Sequence, residues 1–344
     1  MSILAALTGD DEIAALLSDG AQIDAMVRFE VALADASAEA GLIAAEAADA
    51  VAGAAAGFEA NWADLAEGLR RDGVVVPALV KQLRAHLPEE HRSALHQGAT
   101  SQDAIDTALM LQLAKVIGVL EQRLTAVQSR LDALRDEHGA RPLMAHTRMQ
   151  AALPTTWADK VRSWSEPLVR YQANLAAARR TLLVVQLGGP VGNRGSFSGR
   201  GDAIARLLSQ KLDLGLASPW QTTRDPIVAF GSLLALISGS LGKMGADIAL
   251  LTQSEVAAAR IAGGGGSSAM AHKNNPVAAE VLVSLARFNA GLSGTLNQAM
   301  VHENERSGAA WTLEWLVLPQ MAVTAGAGLR LALQLLDQLR FGSE

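Results

Sequence analysis

The 344-residue sequence contains no cysteine. Disulfides, thiolate metal sites and cysteine nucleophiles are therefore excluded. It also has no surplus of positive charge: 29 Lys and Arg face 35 Asp and Glu, a formal net charge of −6. That leaves no basic footprint for nucleic acid or for an anionic membrane. Charged residues make up only 19% of the chain against 50% apolar, so intrinsic disorder is not expected. Met1–Asp11 has no basic region and only a short apolar stretch, and so does not read as a secretory signal. The most apolar segment, Ile227–Leu251, carries Lys243, Asp247 and several Gly and Ser residues, and reads as falling short of a membrane span. The expected location is cytoplasmic, with no nucleic-acid or membrane partner. Convincing alternating strands are absent, and the scattered histidines show no metal-ligand spacing.

What the sequence does have is helical periodicity. One apolar series runs Leu113, Ile117, Leu120, Leu124, Val127, Leu131, Leu134. Others run from Trp157 to Val185 and from Ile227 to Leu251, and a less regular one joins Val277, Val281, Leu285, Phe288, Leu292 and Leu296. Steps of three and four keep one stripe facing a neighbour, as in coiled-coil-like bundles. Pro167 interrupts the second series and predicts a kink. Shorter Ala-rich helices precede these, over residues 23–40 and 44–56. The fold class is all-α: a smaller N-terminal helical domain, 1–103, followed by a long-helix bundle and oligomerisation domain, 104–344.

Unusual residues collect where the long helices break, at 96–103, 141–154, 188–201 and 263–276. Rigid helices with polar, Gly-rich junctions place function at the helix ends, although Gly and Pro more often mark plain connections. The richest break is Gly263-Gly-Gly-Gly-Ser-Ser-Ala-Met-Ala-His-Lys-Asn-Asn-Pro276. Four glycines let backbone N–H groups approach a ligand, Pro276 suits the start of a helix, and Lys273 adds a full charge. An anion would find donors there, and the alkoxide form of a neighbouring serine would be favoured. The spacing is not that of a nucleotide phosphate loop.

Gly266-Ser-Ser-Ala-Met-Ala-His-Lys-Asn-Asn-Pro276 closely resembles GSSxMPxKxNP, the signature of the fumarase/aspartase superfamily. Ala271, in place of the usual proline, is its departure. The resemblance implies that Ser267 transfers a proton and that Lys273 and Asn275 hold a substrate carboxylate and stabilise an aci-carboxylate, with Ser268 and Met270 beside them. His96-Gln-Gly-Ala-Thr-Ser-Gln-Asp103 looks like the first conserved region of the adenylosuccinate lyase and cycloisomerase branches. There Thr100 and Ser101 would donate to a carboxylate and His96 would act near the substrate. A surface histidine and a helix cap at Ser101 or Asp103 are the plainer readings of the same residues.

Ala145-His-Thr-Arg-Met-Gln150 resembles the second region, Gly-Arg-Thr-His-x-Gln. Thr147 and Gln150 match, Arg148 stands at the histidine position, and His146 stands at the arginine position. In the C–N lyases that histidine protonates a leaving nitrogen. A carboxylate, with its low pKa, needs no such acid, and an arginine offers it paired donors instead. His302–Trp311 with Leu313-Glu-Trp-Leu316 resembles the cycloisomerase branch, making Arg306 a candidate substrate cation and leaving Trp311 and Trp315 as packing or pocket wall. Gly188-Gly-Pro-Val-Gly192 matches a family turn, whereas Asn193–Phe197 departs from it and is given no role.

The resemblance implies a cofactor-free cycloisomerase acting on 3-carboxy-cis,cis-muconate, a small tricarboxylate, in a homotetramer with shared active sites. It also implies that the small C-terminal helical domain of most relatives has no counterpart before Glu344. An adenylosuccinate-lyase-like activity releasing fumarate, or a non-catalytic helical assembly protein, are the rival readings.

Overall fold

The computed structural model describes residues 3–266, 270 and 273–342. Two short helices, α1 (Ala5–Thr8) and α2 (Asp11–Leu16), precede α3 (Asp19–Glu39), α4 (Ala45–Ala55), α5 (Trp62–Asp72) and α6 (Val76–Ala85). The long helix α7 (Ser101–His138) leads into a hairpin of β1 (Pro142–Thr147) and β2 (Gln150–Thr156), and then α8 (Trp157–Leu182). Next come α9 (Gly201–Leu212), α10 (Asp225–Leu251), β3 (Ala259–Ile261), β4 (Gly265–Gly266), β5 (Asn274–Asn275) and α11 (Val277–Gln298). The chain closes with α12 (Gly308–Gln338) and β6 (Leu339–Phe341). The all-α reading holds, with three two-stranded ladders added.

The first three apolar series are core stripes. Every member of the α7 series is at most 1% exposed, and Ile227, Phe230, Leu234, Ile237, Leu241, Met244 and Ile248 of α10 are buried alike. Burying each such side chain contributes on the order of 1.5–3 kcal/mol, which far outweighs differences in helix propensity. Helix α8 continues through Pro167, and α12 through Pro319. The irregular fourth series is only partly a core stripe. On α11 the chain buries Leu282, Leu285, Asn289 and Leu296, while Phe288 is 50% exposed. Asn289 there ties three helices together, donating to Ser238 Oγ at 2.8 Å and to the carbonyl of Met321 at 3.2 Å.

Two expectations need correction. The hairpin at 142–156 was not foreseen, because nearly all its residues are exposed on both faces and no hydrophobic alternation marks it. By length and composition α10 and α12 do match a membrane span, with 61% and 67% of their most apolar windows buried inside the protein. Their apolarity has a local cause: α10 packs against α8, α11 and α12 together. Three of the four glycines of α10, Gly231, Gly242 and Gly245, serve that packing. A Cβ on Gly245 would lie 2.5 Å from the carbonyl oxygen of Ala279, and one on Gly242 2.4 Å from the Cβ of Ala286.

The helices alternate in direction, and this gives the bundle two ends where the junctions collect. The start of α7, the end of α8 and the starts of α10 and α12 meet at one end, where Thr107 Oγ1 donates to the carbonyl of Gln186 and Trp311 Nε1 donates to Asp106. The end of α7, the hairpin, β3 and β6 meet at the other, where β3 pairs with β6 and Phe341 packs on Trp157 at 4.2 Å between ring centroids. Helix α7, 38 residues long, separates them by about 55 Å at ~1.5 Å per residue.

Candidate active site

At the first end, Thr100 caps α7 and forms a capping box with Asp103, its N–H donating to Asp103 Oδ2 at 3.0 Å. Asp103 does more than cap. Wholly buried, it also accepts from the N–H groups of Gly188 at 2.7 Å and Gly189 at 2.9 Å and from Gln186 Nε2 at 3.1 Å. Burial pushes its carboxyl up to about 6, against the pull of the hydrogen bonds from Gly188, Thr100, Gly189 and Gln186. Asp103 thereby staples the turn Gly188–Gly192 to the first strip. At Gly192, with φ +78°, a Cβ would sit 2.4 Å from Gln221 Nε2, which explains the glycine there.

Arg306 reaches the same place. Its Nε donates to Gln102 Oε1 at 3.0 Å, and Nη2 donates to Thr100 Oγ1 at 3.2 Å and to the carbonyl of Pro190 at 3.3 Å. Ser101, Arg306, Trp311 and Trp315 line an open cleft of about 760 Å³. Beneath it lies a buried ion cluster. Arg224, 1% exposed, donates to Asp106 Oδ2 at 2.7 Å and to Glu314 Oε1 at 2.8 Å, and its guanidinium lies 4.8 Å from the Trp220 ring. Burial would lift the Glu314 carboxyl, but Arg224 and His302 hold it below its ordinary value. Trp311, 3% exposed, donates to Asp106 Oδ1 at 3.0 Å, so it is anchored in this buried cluster while one edge lines the cleft.

His96 has a left-handed backbone, φ +61°, and its Nδ1 lies 2.6 Å from Oε1 of the buried Glu30 on α3. Burial of the ring opposes its protonation, yet the charge and hydrogen bond of Glu30, with Asp103 behind, raise its pKa above the ordinary value.

The second end carries the remaining residues. Thr147 and Gln150 pair in the hairpin, and Arg148 and Met149 form its two-residue turn with φ +49° and +66°. His146, Thr147, Arg148 and Gln150 are all exposed, and His146 Nδ1 lies 3.2 Å from the carbonyl of Met144. In the Gly-rich strip, β4 pairs with β5, Gly265 opposite Asn275, so a short ladder closes the base of the segment. Asn274 Nδ2 donates to the carbonyl of Ile261, and the Lys273 N–H donates to the carbonyl of Met270, leaving the Lys273 and Met270 side chains exposed. Pro276 is the N-cap of α11. Ser267 and Ser268 lie outside the described residues.

The chain thus brings Thr100, Ser101 and Arg306 together at one end and places His146–Gln150, Lys273 and Asn275 at the other. Motif reading gave no role to Glu314, which lies inside a quoted strip, and missed Glu30, Asp106, Gln186 and Arg224. For Glu30 and Asp106 the signal was charge at core spacing: Met26, Glu30, Leu33, Ser37 on α3, and Asp103, Asp106, Met110, Leu113 on α7.

A family model described as lyase matches residues 10–288. The 3-carboxy-cis,cis-muconate cycloisomerase of Pseudomonas aeruginosa is 38% identical over 96% of this chain and 73% of its own. The crystal structure of the 3-carboxy-cis,cis-muconate lactonizing enzyme from Pseudomonas putida superposes with a TM-score of 0.92 at 35% identity, covering 98% of this chain and 77% of that one. The chain belongs to the fumarase/aspartase superfamily of lyases. Within this superfamily it also resembles a nitrosuccinate lyase of Streptomyces davaonensis, 34% identical over 98% of this chain and 74% of the relative. Superfamily membership accounts for the bundle of long helices and for the three strips at its junctions.

Proposed function

We propose that the protein converts 3-carboxy-cis,cis-muconate to a carboxymuconolactone in aromatic (protocatechuate) degradation, acting in the cytoplasm without a cofactor. The observation that carries this reading is Arg148. A permanently charged guanidinium occupies the hairpin tip, where C–N lyases of the superfamily have a proton-donating histidine, and relatives 35–38% identical are cycloisomerases by name. One carboxylate of the substrate attacks its own diene carbon, so nucleophile and target are held in one molecule and effective molarity removes much of the barrier. The displaced electron pair moves onto the conjugated carboxylate, where Lys273 and Asn275 stabilise the charge. Ser267 delivers the proton to carbon. Thr100, Ser101, Arg306, His96, His146 and Arg148 anchor the other carboxylates, with Thr147, Gln150, Ser268 and Met270 around them.

The site in this proposal forms between copies. The half with Thr100 and Arg306 and the half with Arg148 and Lys273 lie about 55 Å apart along α7, a helix rising ~1.5 Å per residue. A homotetramer joins the first end of one copy to the second end of another. The exposed apolar residues Val169, Leu236 and Phe288 on the long helices support such contacts. Residues 1–103 act as the domain that completes the first half-site, and 104–344 as the domain that assembles.

The test is depletion of 3-carboxy-cis,cis-muconate by purified protein, followed in the ultraviolet. A second reading, an elimination releasing fumarate, is favoured by the likeness to the nitrosuccinate lyase. Efficient turnover of nitrosuccinate or adenylosuccinate, with no consumption of the muconate, would replace the first reading by the second. A fully assembled protein inert to all three substrates would instead support the non-catalytic alternative.

A further inference from the structure

Glu30 is the least expected residue near the first half-site. It lies in the interior of α3, 1% exposed, among Met26, Phe29, Leu33 and Ala34, all of them core. A buried carboxylate is costly unless it is paired. Its Oε2 is buried with no hydrogen-bond partner among the described residues, and its Oε1 meets Nδ1 of His96 at 2.6 Å. His96 is therefore the compensation this carboxylate has. A neutral ring would supply one ordinary hydrogen bond, whereas an imidazolium supplies an opposite charge as well. At the contact His96 also holds φ +61°, a left-handed conformation that side chains rarely adopt. Strain at that position and a buried unsatisfied oxygen on its partner are both costs, and such costs cluster at functional sites.

The geometry fixes the ring. Donation from Nδ1 to Glu30 leaves Nε2 as the other edge, and among the described residues Nε2 has no hydrogen-bond partner. The side chain keeps 14% of its surface exposed, while that of Glu30 keeps 1%. His96 lies four residues before Thr100, on the strip where Thr100 accepts from Arg306. We propose that Glu30 is a positioning residue: through Nδ1 it holds His96 as a cation whose Nε2–H binds a substrate carboxylate beside Thr100, Ser101 and Arg306. This rests on the cycloisomerase reading for the identity of the substrate, but not for the state of the ring. The charged groups around the ring agree with it. Glu30 on α3 and Asp103 on α7 favour the proton, and Arg84 on α6 opposes it. The two acidic groups prevail, and the ring stays charged to higher pH than an unperturbed histidine.

Two arms test this on the full-length protein. In the first, nitrogen-15 NMR follows the seven histidines through a pH titration, with His96 assigned by its loss in His96→Asn. Wild-type His96 titrates above the ordinary value near 6.5 and stays protonated on Nδ1 when neutral, and Glu30→Gln lowers its pKa. A His96 that titrates at or below the ordinary value, or is unmoved by Glu30→Gln, overturns the proposal without reference to any substrate.

In the second arm, Glu30→Gln raises KM for 3-carboxy-cis,cis-muconate about tenfold, the worth of a charge-assisted hydrogen bond, while kcat changes much less. The alkaline limb of 1/KM moves to lower pH, and Glu30→Gln adds no further loss in the His96→Asn background. A merely structural Glu30 would lower thermal stability and leave the pH profile where it was, which also overturns the proposal. If wild type is inert to the muconate, the cycloisomerase reading falls and the NMR arm alone decides the role of Glu30.

Discussion

Arg148 and Asp103 show how differently two charged residues in matching motifs can be used. Arg148 stands exposed on a tight turn with a left-handed backbone. Replacing it with histidine should leave folding unchanged and weaken binding of the muconate about ten- to hundredfold, the loss of a hydrogen bond to a charged group. Arg148→Lys should recover part of this, because a point charge lacks the planar pair of donors. Steady-state constants for both variants check it, and an Arg148→His enzyme faster than wild type would end the argument about the missing acid. Asp103 is the opposite case, a carboxylate buried for the sake of the N–H groups of Gly188 and Gly189. Its folded pKa of about 6 lies above the ordinary 3.8, so the folded state holds this proton more tightly than the unfolded one. Stability is then undiminished below pH 4 and falls as pH rises towards 6, by about 3 kcal/mol from this group alone. Asp103→Asn removes that slope. The melting temperature of wild type minus that of the variant should therefore decline between pH 4 and 6, and a flat difference would show that the carboxylate stays ionised throughout. The motif residues were legible in the sequence because their types and spacing form a recognisable string. The partnerships of Glu30, Arg224 and Glu314 were not, because each meets its partner across more than sixty residues of chain.

At the scale of elements, legibility followed burial. Series with one face against a neighbour repeat every three or four residues, so α7, α8 and α10 could be read directly. The hairpin β1–β2 has almost nothing to bury, and Phe288 on α11 shows that an apolar residue in series can still face outward. The glycines counted against a membrane span in α10 have another use, since Gly231, Gly242 and Gly245 sit at points of close approach. Adding one methyl group tests this. Gly245→Ala must push against the backbone oxygen of Ala279, 2.5 Å from the new Cβ. Overpacking of this kind costs about 1–3 kcal/mol and outweighs the gain of up to about 1 kcal/mol in helix propensity. Gly53→Ala in α4, where a Cβ meets nothing within 4 Å, should keep the propensity gain and raise the melting temperature. Thermal denaturation of the two variants side by side should show shifts of opposite sign. If both shifts are positive, the contact between α10 and α11 is looser than the structure has it.

At the scale of the whole molecule, the length of α7 sets the terms. A 38-residue helix between two halves of one proposed site cannot bend them together, since it holds them apart by ~1.5 Å per residue. Light scattering should find a homotetramer, and a monomer at micromolar concentration would remove the basis for a shared site. Assembly alone does not prove sharing, however, because four copies could each hold an unrelated site. Mixing inactive variants makes the distinction. Arg306→Ala spoils the first end, and Lys273→Ala spoils the second. Homotetramers of either variant should be nearly inactive, because every site receives one damaged half. Dissociated and reassembled in equal amounts, they form hybrids in which an intact first end from one variant meets an intact second end from the other. With random assortment and closed symmetry, about a quarter of the sites should be whole, and activity should recover to about that fraction of wild type. If each chain carried its own complete site, no mixture could contain an undamaged one, and activity would stay at the level of the separate variants. Recovery that appears only after dissociation and reassembly, and never on simple mixing of preformed oligomers, ties the active site to the interface between copies.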